Sequence, residues 1–171
     1  MKRIVSFAVS LVAVMFLTSE GIFGGLSIYA QGASSDKKII EKLYAGWNSG
    51  DPDKVVAAFT EDGVYEDVTA GHVSRGRAEI RKWAEGGFAI FGNMKMEVVS
   101  NWYHNGRGVA EWVSSATDKA DKGLFKTGKS FSGRGVTVYE VRKGKISRVT
   151  EYYDGAAIMK QLGLPMPAIK D

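Results

Sequence analysis

Between residues 39 and 91 the apolar positions recur at helical spacing, and from about residue 95 they recur at every second position. Ile39, Ile40, Leu43, Tyr44 and Trp47 form one helical stripe, which Asn48, Ser49 and Gly50 terminate. Asp36 is placed to cap this helix. Asp51 and Pro52 open a second helix, Asp51 as the cap and Pro52 at the first helical position, where no hydrogen bond is lost. Val55, Val56 and Phe59 are its buried face, and it ends near Phe59. A short strand begins at Val64 and carries Glu66 and Asp67 into a turn over residues 69–71, and the chain returns through residues 72–75. A third helix is predicted over residues 77–91, with Ile80, Trp83 and Phe88 inward and the pair Gly86-Gly87 weakening its end.

The alternating half predicts four strands, over residues 95–103, 108–117, 130–142 and 145–153. Asn105-Gly106 and Lys143-Gly144 are hairpin turns, because both positions of a tight two-residue turn need a left-handed backbone. Residues 118–128 form a longer polar loop, and a short helix over 156–162 stops at Gly163 and Pro165. Three N-terminal helices followed by an antiparallel meander predict an α+β domain with helices covering one face of a curved sheet.

Length and charge add little to this picture, but the N-terminus changes it. Lys2 and Arg3 precede an apolar run over residues 4–17, and small residues lead to Ala30. That order of charged, apolar and small residues predicts a signal peptide over residues 1–30. A loose arm over 31–38, a domain over 39–164 and a tail over 165–171 complete the organisation. The expected location is secreted or periplasmic, with no membrane attachment once the leader is removed. The chain has no cysteine, so an exported domain must hold by packing alone. Its formal net charge is +4 and dispersed, which describes a solvated surface and excludes a nucleic-acid footprint.

One motif misleads. Gly123, Gly128, Lys129 and Ser130 fit the phosphate-loop pattern G-x-x-x-x-G-K-[ST]. That chemistry needs a helix after the loop, whose N-terminus meets phosphate, and here an alternating strand follows. No nucleotide is expected. His72 and His104 stand far apart near turns, so no metal site or other cofactor is expected either. Trp47, Trp83, Trp102 and Trp112 fit a core better than a ligand platform.

The ordered features now carry a resemblance. Trp47-Asn-Ser-Gly-Asp51, Phe59-Thr-Glu-Asp-Gly-Val-Tyr-Glu-Asp67, Gly76-Arg-Ala-Glu-Ile80, Thr127-Gly-Lys-Ser-Phe131, Gly135-Val-Thr-Val-Tyr139, Tyr153-Asp154 and Gln161-Leu-Gly-Leu164 occur in this order. Over residues 39–164 the chain resembles the nuclear transport factor 2-like superfamily, and within it the SnoaL-like polyketide cyclases and steroid delta-isomerases. The resemblance implies a cone-shaped sheet wrapped around a helix, an apolar pocket for a small hydrophobic molecule, and a homodimer through the outer face of the sheet. It does not choose a reaction, because this fold carries isomerases, cyclases, hydrolases and binders.

Carried over residue by residue, Asp67 matches the catalytic base of the steroid isomerases. Two roles stay open to it: proton acceptor above an apolar slot, or acceptor of backbone N–H groups in the following turn. The isomerase tyrosine falls on Leu43, with Tyr44 one residue and about 100° away. The isomerase's second aspartate falls on Thr137, a weaker donor. With Thr137 inward, Tyr139 is inward too, and the family register brings Glu151 and Tyr153 to the same face. Glu151 is therefore either a second acid or base or an exposed strand-end charge. Trp47, Tyr139 and Tyr153 line the ligand site or fill the cone. Asp154 caps the last helix. Two functions stand at this point: a proton-transfer isomerase or cyclase using Asp67 and Glu151, and a non-catalytic ligand-binding or dimerisation module.

Overall fold

A computed structural model describes residues 38–165 of the chain. The predicted leader, all of the arm but Lys38, the proposed cap Asp36 and the tail beyond Pro165 lie outside the described residues. The helices and strands run in the order α1 (Ile39–Ser49), α2 (Pro52–Val56), β1 (Phe59–Asp67), β2 (His72–Arg75), α3 (Gly76–Ile90), β3 (Phe91–His104), β4 (Arg107–Asp118), β5 (Ser130–Arg142), β6 (Lys145–Tyr153) and α4 (Gly155–Leu162). Among the described residues no helix is long and apolar enough to cross a membrane.

Local chemistry accounts for most of the boundaries. α1 stops at Gly50, which takes a left-handed φ of 69°. The Asp51 carboxylate accepts the Asp53 N–H at 3.0 Å and starts α2 at Pro52. Asp154 does the same for α4, accepting the Ala157 N–H at 2.9 Å. Asn105, Gly106, Lys143 and Gly144 all have positive φ, as the two hairpins require.

The six strands form one mixed sheet in the order β2-β1-β6-β5-β4-β3. The β3–β4–β5–β6 meander is antiparallel as expected, but β1 runs parallel to β6 and joins the two halves of the chain. This pairing moves two predicted boundaries. α2 ends at Val56, and Phe59 is the first, fully buried residue of β1. The spacing of Val55, Val56 and Phe59 suits a helix, yet Phe59 gains more as a strand residue opposite Ile146. Gly86-Gly87 does not end α3, which continues to Ile90; β3 then begins at Phe91, four residues before the predicted start.

α1 lies against the concave face and buries Ile39, Ile40, Leu43, Tyr44 and Trp47. Two glycines make room for large rings on that face. A Cβ on Gly108 would stand 2.2 Å from the Tyr139 ring, and one on Gly135 would stand 2.4 Å from the Trp112 ring. Trp47 and Trp112 are core residues and Trp83 is half-buried, but Trp102 lies on the convex face and is 62% exposed.

The phosphate-loop look-alike joins β4 to the antiparallel β5. Its backbone already has an anion: the buried Asp118 carboxylate accepts N–H groups from Phe125 at 3.0 Å and Thr127 at 2.6 Å, and the Thr127 hydroxyl at 2.8 Å. The Lys129 ammonium donates to the Leu162 carbonyl at 3.0 Å.

Candidate functional site

Strand register draws the site. His72, Asp67, Glu151, Thr137, Ala110 and Asn101 are successive partners across all six strands, from β2 to β3. Partners in register point to the same side of a sheet, so Asp67, Glu151 and Thr137 stand in one row on the inner face. All three are buried; Asp67 is 6% exposed and Glu151 4%. Glu151 is therefore an inward group, not a strand-end charge.

Hydroxyls surround Glu151. Tyr65 donates to its Oε2 through a short hydrogen bond, and Thr137 donates to its Oε1 at 3.1 Å. The Thr137 oxygen in turn receives Trp112 Nε1–H at 2.9 Å and the Tyr44 hydroxyl at 2.5 Å. One hydroxyl has one proton and two lone pairs, so Thr137 is saturated and its only proton goes to Glu151. Burial pushes the Glu151 carboxyl up to about 7; the Tyr65 and Thr137 hydrogen bonds oppose the rise and the Asp67 charge adds to it. Burial, followed by the charge of Glu151, holds the Tyr44 and Tyr65 phenols well above their ordinary range, so they remain neutral donors.

Asp67 has a different setting. Its Oδ1 accepts the Ala70 N–H at 2.8 Å, and its Oδ2 accepts the Tyr153 hydroxyl at 3.1 Å. Burial raises its carboxyl above the usual value, while the Ala70 N–H, the Tyr153 hydroxyl and nearby His72 pull the other way. Asp67 thus anchors the turn and also faces the row of polar groups. His72 stacks on Trp83 at 4.0 Å and shares a 2.9 Å hydrogen bond with Ser74.

The remaining candidates divide. Leu43 is fully buried and offers only apolar surface. Tyr44, although one position away on the helix, puts its hydroxyl into the Glu151 network, because the deeply buried α1 turns both residues inward. The Tyr139 hydroxyl donates to Asn101 Oδ1 at 2.7 Å and not to Glu151. Tyr65 and Trp112 were absent from the predicted set. Tyr65 could have been found, since it stands two residues before Asp67 on one strand and so shares its face. Trp112 could not, because its reach to Thr137 depends on the β4–β5 register. Two open depressions of about 480 and 490 Å³ lie between α1 and β3 and over β4–β6; neither is lined by Asp67 or Glu151. Among the described residues no group of His, Asp or Glu is arranged to hold a metal ion.

Residues 40–149 match the SnoaL-like domain family. The chain belongs to that family. Solved structures agree on the fold. A protein of ketosteroid isomerase-like fold from Catenulispora acidiphila, in complex with trimethylamine, is 23% identical, with 75% of this chain and 94% of that one covered and a TM-score of 0.69. A putative polyketide cyclase from Xanthomonas campestris pv. campestris is also 23% identical, covering 77% and 98%, with a TM-score of 0.68. An epoxide hydrolase from M. tuberculosis is 18% identical, covering 76% and 90%, with a TM-score of 0.63. No curated relative matches the chain. This SnoaL-like domain thus has the nuclear transport factor 2-like architecture, and its chemistry has to be argued from its own side chains.

Proposed function

We propose that this SnoaL-like domain catalyses proton transfer on a small, neutral carbonyl compound, as an isomerase or cyclase does, with Asp67 and Glu151 as the working pair. The observation that carries this reading is that the two carboxyls are buried register partners held in unlike settings. Asp67 accepts hydrogen bonds from an N–H and a phenol, which favour its charged form, so it is the base. Glu151 is fully desolvated and sits beside that charge, which keeps it partly protonated near neutral pH, so it is the acid. Asp67 takes the proton from the carbon next to the carbonyl, an enolate forms, and Glu151 delivers a proton to carbon or oxygen. Tyr153 holds the base and Tyr65 holds the acid. The same reading puts the domain outside the cytoplasm, following the leader at residues 1–30, and pairs two copies through the convex face.

The test is exchange of the α-protons of α-tetralone in heavy water, followed by proton NMR. The protein should accelerate exchange, and Asp67→Asn and Glu151→Gln should each lower the rate by about 10²–10⁴-fold. A specific observation favours the second reading, a binding module without chemistry: the Glu151 carboxyl already has its hydrogen-bond partners inside the protein, from Tyr65 and Thr137. No acceleration above buffer, or exchange indifferent to both substitutions, would leave that second reading standing.

A further inference from the structure

Among the described residues two buried side-chain polar atoms have no hydrogen-bond partner, Thr60 Oγ1 and Trp47 Nε1, and the indole N–H can only donate. Trp47 is 5% exposed, and its Nε1 is buried without a hydrogen bond among the described residues. The contrast with Trp112 is direct, since that indole N–H is spent on Thr137. A buried donor without an acceptor is destabilising, and native proteins retain few such groups.

The surroundings say what could satisfy it. The Trp47 ring lies 6.0 Å from Tyr65, the residue that holds Glu151, and 5.4 Å from Phe88 on α3. Phe88 is half-buried, as are Trp83, Met94 and Met96, which pack on the same cluster. The walls are aromatic and apolar, so a flat ring system fits them and a polar one does not. An anion is disfavoured as well, because it would be buried beside the Tyr65–Glu151 pair. A neutral oxygen acceptor remains.

We propose that Trp47 Nε1–H is the donor that receives the carbonyl oxygen of a neutral, planar ketone bound between α1, α3 and the sheet. The proposal rests on the proton-transfer reading for its reaction. In that reaction Trp47 supplies the oxyanion contact that neither Leu43 nor the saturated Thr137 can make.

Two probes separate the hydrogen bond from apolar burial. Tetralin has the ring system of α-tetralone without its carbonyl. In the ¹⁵N-labelled protein, with the Trp47 indole resonance assigned through NOEs to Tyr65 and Phe88, millimolar α-tetralone should move that N–H downfield and tetralin should not. Trp47→Phe should weaken α-tetralone binding about three- to tenfold and leave tetralin binding unchanged. An unmoved Trp47 resonance under saturating α-tetralone overturns the assignment, and so does failure of either probe to bind. The wild-type resonance decides the matter even if Trp47→Phe does not fold. Proton exchange is scored on the same samples. A Trp47 shift without exchange keeps the carbonyl site and removes the reaction; exchange without a shift does the reverse.

Discussion

Asp67 and Glu151 are Cα partners on the parallel strands β1 and β6, and both carboxyls face inward. They are 84 positions apart in the chain by number, yet the register makes them neighbours. Two carboxyls this close do not titrate independently, and the more deeply desolvated of the two, Glu151, holds its proton longer.

Glu151 therefore links stability to pH. Its folded carboxyl sits at about 7 against an ordinary 4.5, so the folded state binds the proton more tightly than the unfolded chain does. The associated stabilisation is present below about 4.5 and is lost as pH rises through about 7. The full span is on the order of 3 kcal/mol. Thermal unfolding should show Tm falling between pH 5 and pH 8, and Glu151→Gln should flatten that slope. A wild-type Tm that rises across the same range would contradict the burial argument.

Asp118 behaves with the opposite sign. Burial pushes its carboxyl up, but the N–H groups of Thr127, Phe125 and Leu124 and the Thr127 hydroxyl outweigh that and hold it below the usual range. Its contribution is present above about pH 4 and disappears as pH falls through the lowered folded value. Asp118→Ala should cost about 1–3 kcal/mol, because it leaves buried N–H groups unmet. Amide exchange at Phe125 and Thr127 should accelerate first. The same occupied loop should bind no nucleotide, and calorimetry with magnesium and ATP should read no heat beyond dilution.

The convex face predicts assembly. Trp102, Val109 and Val138 are partners on three adjacent strands, Val136 and Tyr152 continue the stripe, and each is at least 36% exposed. The Glu111–Arg134, Glu66–Arg148 and Arg107–Glu140 ion pairs flank it with both signs of charge, which suits a second copy of the same surface. Light scattering should give twice the monomer mass at micromolar concentration, and Val138→Glu should halve it. A monomeric wild type removes the prediction.

Periodicity made the helices, the meander and both hairpins legible, because each depends on residues close in sequence: a cap at Asp51, a left-handed Gly50, an Asn-Gly turn. Alternation along β5 tied Tyr139 to the face of Thr137, whereas Glu151 and Tyr153 came to that face only through the family resemblance, which left Glu151 open as a strand-end charge. Nothing local in residues 59–63 announces a parallel partner 80 or more positions later, so β1 read as shorter than it is. The helix phase of Tyr44 suggested a ring turned away from the donor position, and α1 is buried deeply enough to bring it in. The Glu151 network needs four strands and a helix at once: β6 for Glu151 itself, β1 for Tyr65, β5 for Thr137, β4 for Trp112 and α1 for Tyr44. The sequence left Trp47 open as a residue lining the ligand site or filling the cone. Its unpaired N–H emerges only once every neighbouring acceptor has been assigned, because hydrogen bonds are short and directional and depend on where other strands place their atoms.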